Sequence, residues 1–595
     1  MAFPAASQTP ELVPDMNACS RMPFLAWLTL VLALMQGCAG PGAQTGTSPL
    51  APSGKYPSQS IERQNGVVVS VSGLASDVGV SILKQGGNAV DAAVATAFAL
   101  AVTYPAAGNL GGGGFMLVHP APGEGKPVAI VYRETAPAAA FPTMFTKEDT
   151  QYMYKSVAVP GTVRGFGLAH QRFGTLPWRQ LLLPAVALAR DGFKIDRNLA
   201  ELMNTYLAAV PTHAEFQRVF GKPGGGLWAA GDRLRQPDLA RTLQLLADLG
   251  PDAFYKGPIA KAIVAEMARG KGLITGEDLV RYQAIECKPL TTRYRGAYDV
   301  YVPPPPSAGV CLLEELNMLE TFDLKAWGRW SPTTFHVMSE TMRRANFDRA
   351  RYLGDPAFVQ IPVNLTAPEY GHQLASTIDL KKATRSKDLA ADLPLAHEGG
   401  DTTHFSIIDR RGMAVANTYT LERLWGSRIV VKDMGFLLNN NMFGFNLFPG
   451  ITDTNGLVGT APNLIAPGKR PVSSQTPTIV AKDGRVKLIT GSPGTRAIPN
   501  TMACLLVSLL DYEMPIQKAI EAPRMSHEWF PDQMSFETPE RYPELMKALN
   551  KLGHTVVRYG PRPQGDAQTI WVKGPNRYVG VADKRRNDKA TASGY

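Results

Sequence analysis

Cysteine is scarce in this sequence, with five residues in 595, no CxxC pair and no histidine at the spacing of a zinc site. This scarcity argues against a disulfide framework and against structural zinc. Charged residues are also few, at 19%, below the average of about 25%. Together with an ordinary hydrophobic share of 45%, that excludes a disordered charged polymer. The length predicts several domains or one unusually large core.

No feature of the charge pattern points to a nucleic acid. The formal net charge of +10 is modest for this length and scattered along the chain.

Gly111–Gly114 precedes a strand-like segment, Phe115–Val118, but lacks the Lys-Ser/Thr that a phosphate cradle needs. Close backbone packing is the better explanation of these glycines. The sequence calls for no cofactor and no metal.

The longest apolar run near the start, Phe24–Met35, is too short to span a bilayer, which takes about 20 residues. The positively charged Arg21 precedes this run, and a short apolar run after a positive charge is typical of the core of a signal peptide. We therefore assign residues 1–37 to a signal region. The charged part of this region lies near Met16 and Met22 and not near Met1. A natural start at one of these two methionines, with residues 1–15 upstream of it, therefore stays open as an alternative.

The segment Met35–Cys38 resembles a bacterial lipobox, with Cys38 as the residue that would be acylated. Ordinary signal cleavage within residues 37–42 is the alternative. Both interpretations predict an exported, periplasmic protein whose contact with a membrane is limited to a lipid on Cys38. Residues 38–60, rich in Gly, Ser, Pro and Thr, predict a flexible tether.

Hydrophobic periodicity predicts helices in the body of the chain. The segments are Ala92–Val102, Leu181–Arg190, Pro237–Leu249, Ile259–Ala268 and Val310–Leu319. Thr275 with Asp278 three residues later predicts a capping box at the start of another helix. No internal repeat of fixed period is present.

The sequence pattern changes after Gly399-Gly400-Asp401. Segments begin there in which apolar and polar residues alternate with a period of two, as in β-strands. Thr402–Asp409 and Met413–Thr420 flank Arg410-Arg411-Gly412 and predict a β-hairpin. If the turn centres on Arg411, Thr402 lies opposite Thr420, and their hydroxyls can meet across the strands.

A threonine hydroxyl is a poor nucleophile without an adjacent base. A threonine that is the first residue of a chain carries its own base, because an α-amino group has a pKa of about 7.7 to 8.0. The same nitrogen inside a peptide bond cannot accept a proton. Cleavage before Thr402 would therefore switch such a site on, whereas a threonine at any strand start is otherwise explained by β-propensity.

Several motifs around these strands resemble those of the γ-glutamyltranspeptidase family of N-terminal-nucleophile hydrolases. The resemblance covers nearly the whole exported chain. The motifs are Thr402–Ser406, Thr418–Glu422 with Gly426, Gly111–Met116, Tyr132–Pro137, Pro160–Thr162, Phe254–Gly257, Leu438–Asn440, Lys469–Ser474 and Gly491–Gly494.

The resemblance implies an α+β fold, a four-layer αββα sandwich made as one precursor. It also implies self-cleavage between Asp401 and Thr402 into a large subunit, 61–401, and a small catalytic subunit, 402–595. The implied enzyme is a γ-glutamyltransferase or glutathione hydrolase. Its expected partners are a small γ-glutamyl substrate, water or an amine or peptide acceptor, and the two subunits of the same precursor.

Site roles carry over by the same resemblance. Thr402 would attack the γ-amide carbonyl, Thr420 would hold its hydroxyl or amine, and the backbone N–H groups of Gly494 and Thr495 would form the oxyanion hole. Arg133, Ser473 and Ser474 match the clamp for the substrate α-carboxylate, where Arg suits a carboxylate by its fork geometry. The family usually has a second glycine where Thr495 stands.

Some positions depart from the family. Gly444 stands where members that recognise glutathione commonly place a carboxylate for the substrate α-ammonium, and Asn441 stands where Gln or Glu is usual. Glu422 could supply the missing charge. Phe443 and Phe445 would make this wall apolar, which suits an acyl group with no amine.

Three interpretations of function therefore stay open. The first is a γ-glutamyl amidohydrolase, in which Asn455, at the place of a shielding tyrosine in some members, would leave the site open to water and favour hydrolysis over transfer. The second is a glutaryl acylase of the cephalosporin type. The third is a non-catalytic surface lipoprotein that binds small anionic peptides. We expect His404 to make a structural hydrogen bond.

Overall fold

The computed structural model describes residues 57–389, 395–396, 401–452 and 457–595. The predicted signal region, Cys38, most of the tether, the residues just before Asp401 and Asn455 lie outside the described residues. No helix in the described part is long and apolar enough to cross a membrane.

Strands are distributed over the whole described chain. In chain order they are β1 Gln59–Arg63, β2 Gly66–Ser70, β3 Gly113–His119, β4 Val128–Val131, β5 Phe193–Lys194, β6 Arg233–Leu234, β7 Ile285–Cys287, β8 Leu290–Tyr294, β9 Tyr298–Val302, β10 Leu395–Ala396, β11 Asp401–Asp409, β12 Ala414–Glu422, β13 Leu457–Val458, β14 Thr478–Lys482, β15 Arg485–Thr490, β16 Met525–His527, β17 Met534–Phe536, β18 Val556–Arg558, β19 Gln568–Gly574, β20 Arg577–Ala582 and β21 Thr591–Gly594.

Helices dominate the segments between the main strand groups. They are α1 Gly73–Lys84, α2 Ala89–Thr103, α3 Thr162–Phe173, α4 Trp178–Asp191, α5 Arg197–Ala209, α6 Ala214–Phe220, α7 Pro237–Leu249, α8 Asp252–Tyr255, α9 Pro258–Arg269, α10 Gly276–Arg281, α11 Gly309–Leu319, α12 Leu324–Trp327, α13 Pro332–Tyr352, α14 Pro368–Ser376, α15 Ile498–Leu506, α16 Ile516–Glu521 and α17 Pro543–Lys551. The five predicted helices are confirmed within a few residues, and Thr275 and Asp278 form the predicted capping box of α10.

Two seven-stranded antiparallel sheets form the centre of the fold. Sheet I has the order β1-β20-β19-β15-β14-β9-β8, and sheet II the order β21-β2-β11-β12-β3-β4-β7. Both sheets combine strands from before and after Thr402. The part of the chain before Thr402 and the part after it are therefore both needed to complete either sheet.

Alternation of side chains along the strands explains the four layers. Val67 and Val69 of β2 point into an apolar layer between the two sheets, together with Ile479 and Ile489 of sheet I. Val68, between them, packs with α1, α2 and α4 on the outer face of sheet II. The outer face of sheet I packs with α11, α13 and α15. This is the predicted αββα sandwich.

The glycines before β3 are explained by close backbone packing, as predicted. A Cβ at Gly112 would lie 1.9 Å from the carbonyl oxygen of Thr420, and one at Gly114 would lie 2.3 Å from that of Thr418. Real Cβ atoms do not approach this closely. The run therefore allows the neighbouring strand β12, which carries Thr420, to lie against the start of β3.

Helix α11 carries two fully buried carboxyl groups that its apolar neighbours did not indicate. Among the described residues, no hydrogen bond reaches any carboxylate oxygen of Glu314 or Glu315. Burial raises the pKa of both carboxyls well above the usual value of 4.5. Glu315 therefore stays protonated in the folded state under conditions where the unfolded chain ionises it.

We expect Glu315→Leu to stabilise the protein at neutral pH. Because the folded-state pKa is raised, stability falls as pH rises above about 4.5, and leucine removes that loss. The free energy of unfolding should therefore increase clearly at pH 7.5 and by much less near pH 4.5. Urea unfolding at both pH values measures it, with the exposed Glu277→Leu as control. A lower stability of Glu315→Leu at pH 7.5 would contradict this expectation.

Candidate active site

One polar pocket brings together five of the residues that the sequence predicted. The residues that line it are Thr402, Glu422, Gly444, Val472, Ser473, Ser474, Gln475, Thr495, Arg496 and Ile498. The predicted residues among them are Thr402, Glu422, Ser473, Ser474 and Thr495. Of the other predicted residues, Gly494 adjoins Thr495, and Arg133, Thr420 and Asn441 are buried behind the lining.

Thr402 is half-buried near the start of β11, where the hairpin has a β-bulge. From Thr403↔Tyr419 onward, β11 and β12 pair in the predicted register. Asp401 pairs with Glu422, so both Thr420 and Leu421 lie opposite Thr402. The predicted one-to-one pairing with Thr420 is corrected accordingly. A bulge of this kind bends the strand and can re-aim a side chain.

Thr420 is buried behind the pocket and helps to fix the end of β12. Its hydroxyl accepts a hydrogen bond from the N–H of Glu422 at 2.8 Å. This contact fixes the backbone of Glu422 at the point where its side chain enters the pocket. The packing of β12 against Gly113 of β3 holds Thr420 from the other side.

Gly494 and Thr495 stand at the beginning of a short 3₁₀ turn, Thr495–Ala497, that leads into α15. The first N–H groups of a helical turn have no acceptor within it, so they are available to an anion. Gly494 has φ +141° and Thr495 has φ +59°. The left-handed region costs a non-glycine residue roughly 1 to 2 kcal/mol, which explains a preference for glycine at the position of Thr495.

Arg133 lies under the pocket in a buried network of charges. Its Nη1 is 3.1 Å from Oε2 of Glu134, and its Nη2 is 3.3 Å from Oε2 of Glu422. It also donates to the carbonyl oxygens of Pro471 and Val472, next to the predicted clamp serines. The ion pair with Glu134 is thus present, and the fork of the guanidinium also reaches the pocket wall.

Glu134 is a strongly perturbed carboxyl of this network. It is completely buried, and burial raises its pKa to about 7, against the opposing effect of Arg133. Asn441 donates from Nδ2 to Glu134, and its own Oδ1 has no partner among the described residues. Asn441 therefore faces Glu134 and does not line the pocket.

The two serines lie on a segment that hydrogen bonds hold in an extended course. The N–H of Val472 donates to Oδ1 of Asn463, and Ser473 pairs with Ser307 in a short parallel bridge. Oγ of Ser474 accepts from Nη2 of Arg349 at 3.3 Å. Both serines therefore line the pocket on a segment whose backbone is fixed.

Gly444 forms the wall of the pocket above Arg133. A Cβ at this position would lie 2.9 Å from Nη2 of Arg133 and 3.1 Å from Cβ of Pro471. The expectation that Phe443 and Phe445 also line this wall is wrong. Phe443 packs against Phe145 with ring centroids 5.1 Å apart. Phe445 is buried in the same apolar cluster, and neither Phe443 nor Phe445 lines the pocket. The wall is therefore less apolar than the sequence indicates.

His404 makes the structural hydrogen bonds expected for it. It is fully buried, with Nδ1 2.7 Å from Oγ1 of Thr418 and Nε2 3.0 Å from Oγ of Ser406. Burial lowers its pKa to about 3. A histidine with this pKa is a weak base near neutral pH, so it does not compete with an N-terminal amine for that role.

Five residues at or beside the pocket received no role from the sequence: Glu134, Val472, Gln475, Arg496 and Ile498. Four of them are direct neighbours of a predicted residue in the chain, and Ile498 lies three residues after Thr495, so adjacency was the available signal. The raised pKa of Glu134 depends on its burial by segments far away in the sequence, which no local pattern reveals.

One cluster in the described part has the composition of a metal site, but its charges do not suit a cation. His336, Glu340 and His554 lie close together in the interior. Glu340 is already paired with Arg343 and Arg344. The two imidazoles hydrogen-bond to each other at 2.7 Å, and burial lowers the pKa of both.

Comparison with known proteins adds to this geometry. The family model described as Gamma-glutamyltranspeptidase matches residues 75–593. The glutathione hydrolase proenzyme of Escherichia coli (strain K12) is 43% identical over 545 residues, covering 90% of this chain and 93% of the relative. The Acylase ACY 1 proenzyme of Pseudomonas sp. (strain SE83) is 36% identical over 534 residues, covering 87% and 91%. The crystal structure of a cephalosporin acylase from Bacillus halodurans has a TM-score of 0.79 at 26% identity, covering 91% of this chain and 98% of that one.

Proposed function

The chain belongs to the γ-glutamyltranspeptidase family, and from this premise we propose that it hydrolyses γ-glutamyl amides through an N-terminal Thr402. It is a glutathione hydrolase or γ-glutamyltransferase by class, produced as a proenzyme. The observation that carries the proposal is the pocket, in which Thr402 shares one wall with Glu422, Ser473 and Thr495.

Self-cleavage is the first step. The hydroxyl of Thr402 attacks the carbonyl carbon of Asp401, the acyl group moves from nitrogen to oxygen, and water hydrolyses the resulting ester. The products are a large subunit, 61–401, that ends in a new carboxylate and a small subunit, 402–595, with a free α-amine at Thr402. Because strands of both subunits interleave in each sheet, they stay assembled after the cut.

Amide hydrolysis follows on the freed threonine. The α-amine takes the hydroxyl proton as Oγ attacks the γ-carbonyl, and the N–H groups of Gly494 and Thr495 stabilise the oxyanion. The intermediate collapses to an ester on Thr402, and the leaving amine departs with the proton. Water or an acceptor amine then attacks the ester and restores the threonine.

The acyl part of the substrate is an amino acid. Two opposite charges suit its ends, Glu422 in the lining and Arg133 directly behind it. We assign the α-carboxylate to Ser473, Ser474 and the guanidinium of Arg133. We assign the α-ammonium to Glu422, whose half-buried carboxylate already lies 3.3 Å from Arg133. Glu422 thereby replaces the carboxylate that Gly444 lacks, with Asn441 supporting Glu134 behind it.

The glutaryl acylase alternative concerns a substrate whose acyl part differs from a γ-glutamyl group at one position only. A glutaryl chain has the carboxylate but lacks the α-ammonium. We expect the wild-type enzyme to prefer γ-glutamyl p-nitroanilide to glutaryl p-nitroanilide. Glu422→Gln should lower kcat/KM on the γ-glutamyl substrate by about 10- to 100-fold, because a charged hydrogen bond contributes roughly 1.5 to 3 kcal/mol. It should leave glutaryl turnover unchanged.

Steady-state kinetics on both anilides test this, with Glu277→Gln on the exposed start of α10 as the matched control. A wild-type preference for the glutaryl substrate would establish the acylase alternative. A purified, self-cleaved protein that turns over neither anilide would favour the non-catalytic alternative.

We also propose that the enzyme is exported and periplasmic, with Cys38 as a site of lipidation. The sequence of residues 24–38 supports this, and the composition of residues 38–60, rich in Gly, Ser, Pro and Thr, predicts a tether between the enzyme and its anchor. Mass analysis of the mature N-terminus distinguishes an acylated Cys38 from ordinary cleavage within residues 37–42.

A further inference from the structure

Gln475 is an anomaly in the wall of the pocket. Its side chain is only 1% exposed, and neither Oε1 nor Nε2 has a hydrogen-bond partner among the described residues. A buried polar group without a partner costs roughly 1 to 3 kcal/mol, and native proteins contain few of them. Gln475 lines the same pocket as Thr402, and both its amide oxygen and its amide nitrogen are unpaired. We therefore infer that a ligand provides the missing hydrogen-bond partners.

The backbone of Gln475 cannot turn to relieve this cost. Its carbonyl oxygen accepts from Oγ of Ser307 at 2.7 Å, and its N–H donates to Oγ of Ser473 at 3.3 Å. Both partners are themselves buried. Gln475 is consequently held by its backbone among the residues that line the pocket containing Thr402.

The rest of the lining indicates which part of a substrate lies nearest. Under the proposed function, Glu422, Ser473 and Ser474 bind the acyl part and Thr495 binds the oxyanion. Gly444 and Val472 adjoin Arg133, which is assigned to the same acyl part. Apart from the nucleophile Thr402, the lining residues left over are Gln475, Arg496 and Ile498. We assign them to the group on the other side of the scissile bond. In the first half of the reaction this group is the leaving amine, and in the second half it is the acceptor amine.

An amide side chain is complementary to a peptide bond. Nε2 of Gln475 can donate to a carbonyl oxygen, while Oε1 can accept from an N–H group, and a peptide bond offers both. Arg496, which follows the oxyanion residue Thr495, is 4% exposed and is fixed by Glu528 at 3.1 Å. It forms a rigid neighbour to this subsite.

We propose that Gln475 is a specificity-determining residue that binds the peptide bond of a peptidyl leaving group or acceptor. This inference rests on the proposed function and deepens it. The enzyme then selects γ-glutamyl peptides, whose leaving group contains a peptide bond, over γ-glutamyl amides of simple amines.

Gln475→Met tests the proposal, because methionine has a similar length and no strong hydrogen-bonding group. The substrates are γ-glutamylalanylglycine, whose leaving group contains a peptide bond, and γ-glutamyl p-nitroanilide, whose leaving group does not. We expect kcat/KM to fall about tenfold on the peptide and to stay within about twofold on the anilide, since two neutral hydrogen bonds are lost only with the peptide. The melting temperature should not fall. Gln244→Met, at a half-buried position of α7 outside the pocket lining, is the matched control.

Equal losses on both substrates, or no loss on either, would overturn the inference. A fall in melting temperature with unchanged discrimination would assign Gln475 a structural role and overturn it as well. If the wild-type enzyme cleaves neither substrate, the proposed function fails, and that failure is visible before any variant is made.

Discussion

Thr402→Ala is expected to yield one uncut chain with no measurable activity. Alanine has no hydroxyl to attack the preceding carbonyl, so the α-amine that acts as the base is never released. Loss of the nucleophile should lower turnover by more than about 10⁴-fold. Denaturing electrophoresis should show a single band for the variant, whereas the wild type should give a small fragment of roughly 21 kDa, its share of the 64.3 kDa chain by length.

Thr403→Ala is the matched control for this result. Thr403 is the next residue of β11, and its buried hydroxyl has no partner in the part of the chain that the structure describes. The control should be cut and active. Thr402→Ser, which keeps a hydroxyl and an amine, should be cut more slowly and retain partial activity. Cleavage of Thr402→Ala at the normal position would refute the role of its hydroxyl.

Arg133→Met has the second largest expected effect. The change removes the cation between Glu134 and Glu422. Under the proposed assignment of Arg133, the substrate carboxylate then loses its main partner. We expect kcat/KM on γ-glutamyl p-nitroanilide to fall by about 10²- to 10³-fold, equivalent to roughly 3 to 4 kcal/mol. Turnover of the glutaryl anilide should fall as well, because that substrate shares the carboxylate.

The same substitution should also lower stability. Glu134 would lose the charge that opposes the effect of burial, so its pKa, already raised to about 7, should rise further. Removing one partner of a buried pair costs roughly 3 kcal/mol or more. Thermal unfolding measures this, with the exposed Arg172→Met, paired with Glu286, as control. An unchanged KM for both substrates would contradict the assignment of Arg133.

Much of this architecture could be predicted from the sequence. The period-2 pattern on either side of Arg411 predicts the hairpin and its register, because alternate residues must face opposite layers of the sandwich. The glycines before β3 predict close packing for an equally local reason. The nucleophile follows from chemistry together with the family motifs.

Other features depend on contacts between distant segments, and no local pattern could predict them. The bulge that places both Thr420 and Leu421 opposite Thr402 arises where β11 and β12 end. Phe443 and Phe445 pack away from the pocket because neighbouring segments offer them apolar partners. The buried carboxyl of Glu315 likewise lies in a helix that reads as apolar.

Intact-mass analysis combined with N-terminal sequencing of active, purified enzyme shows whether Thr402 is the first residue of a chain. We expect a small subunit of 194 residues, 402–595, that begins Thr-Thr-His-Phe-Ser, and activity that appears in proportion to this fragment. An uncut chain with full activity would contradict it, since the amine of Thr402 would then still be part of a peptide bond.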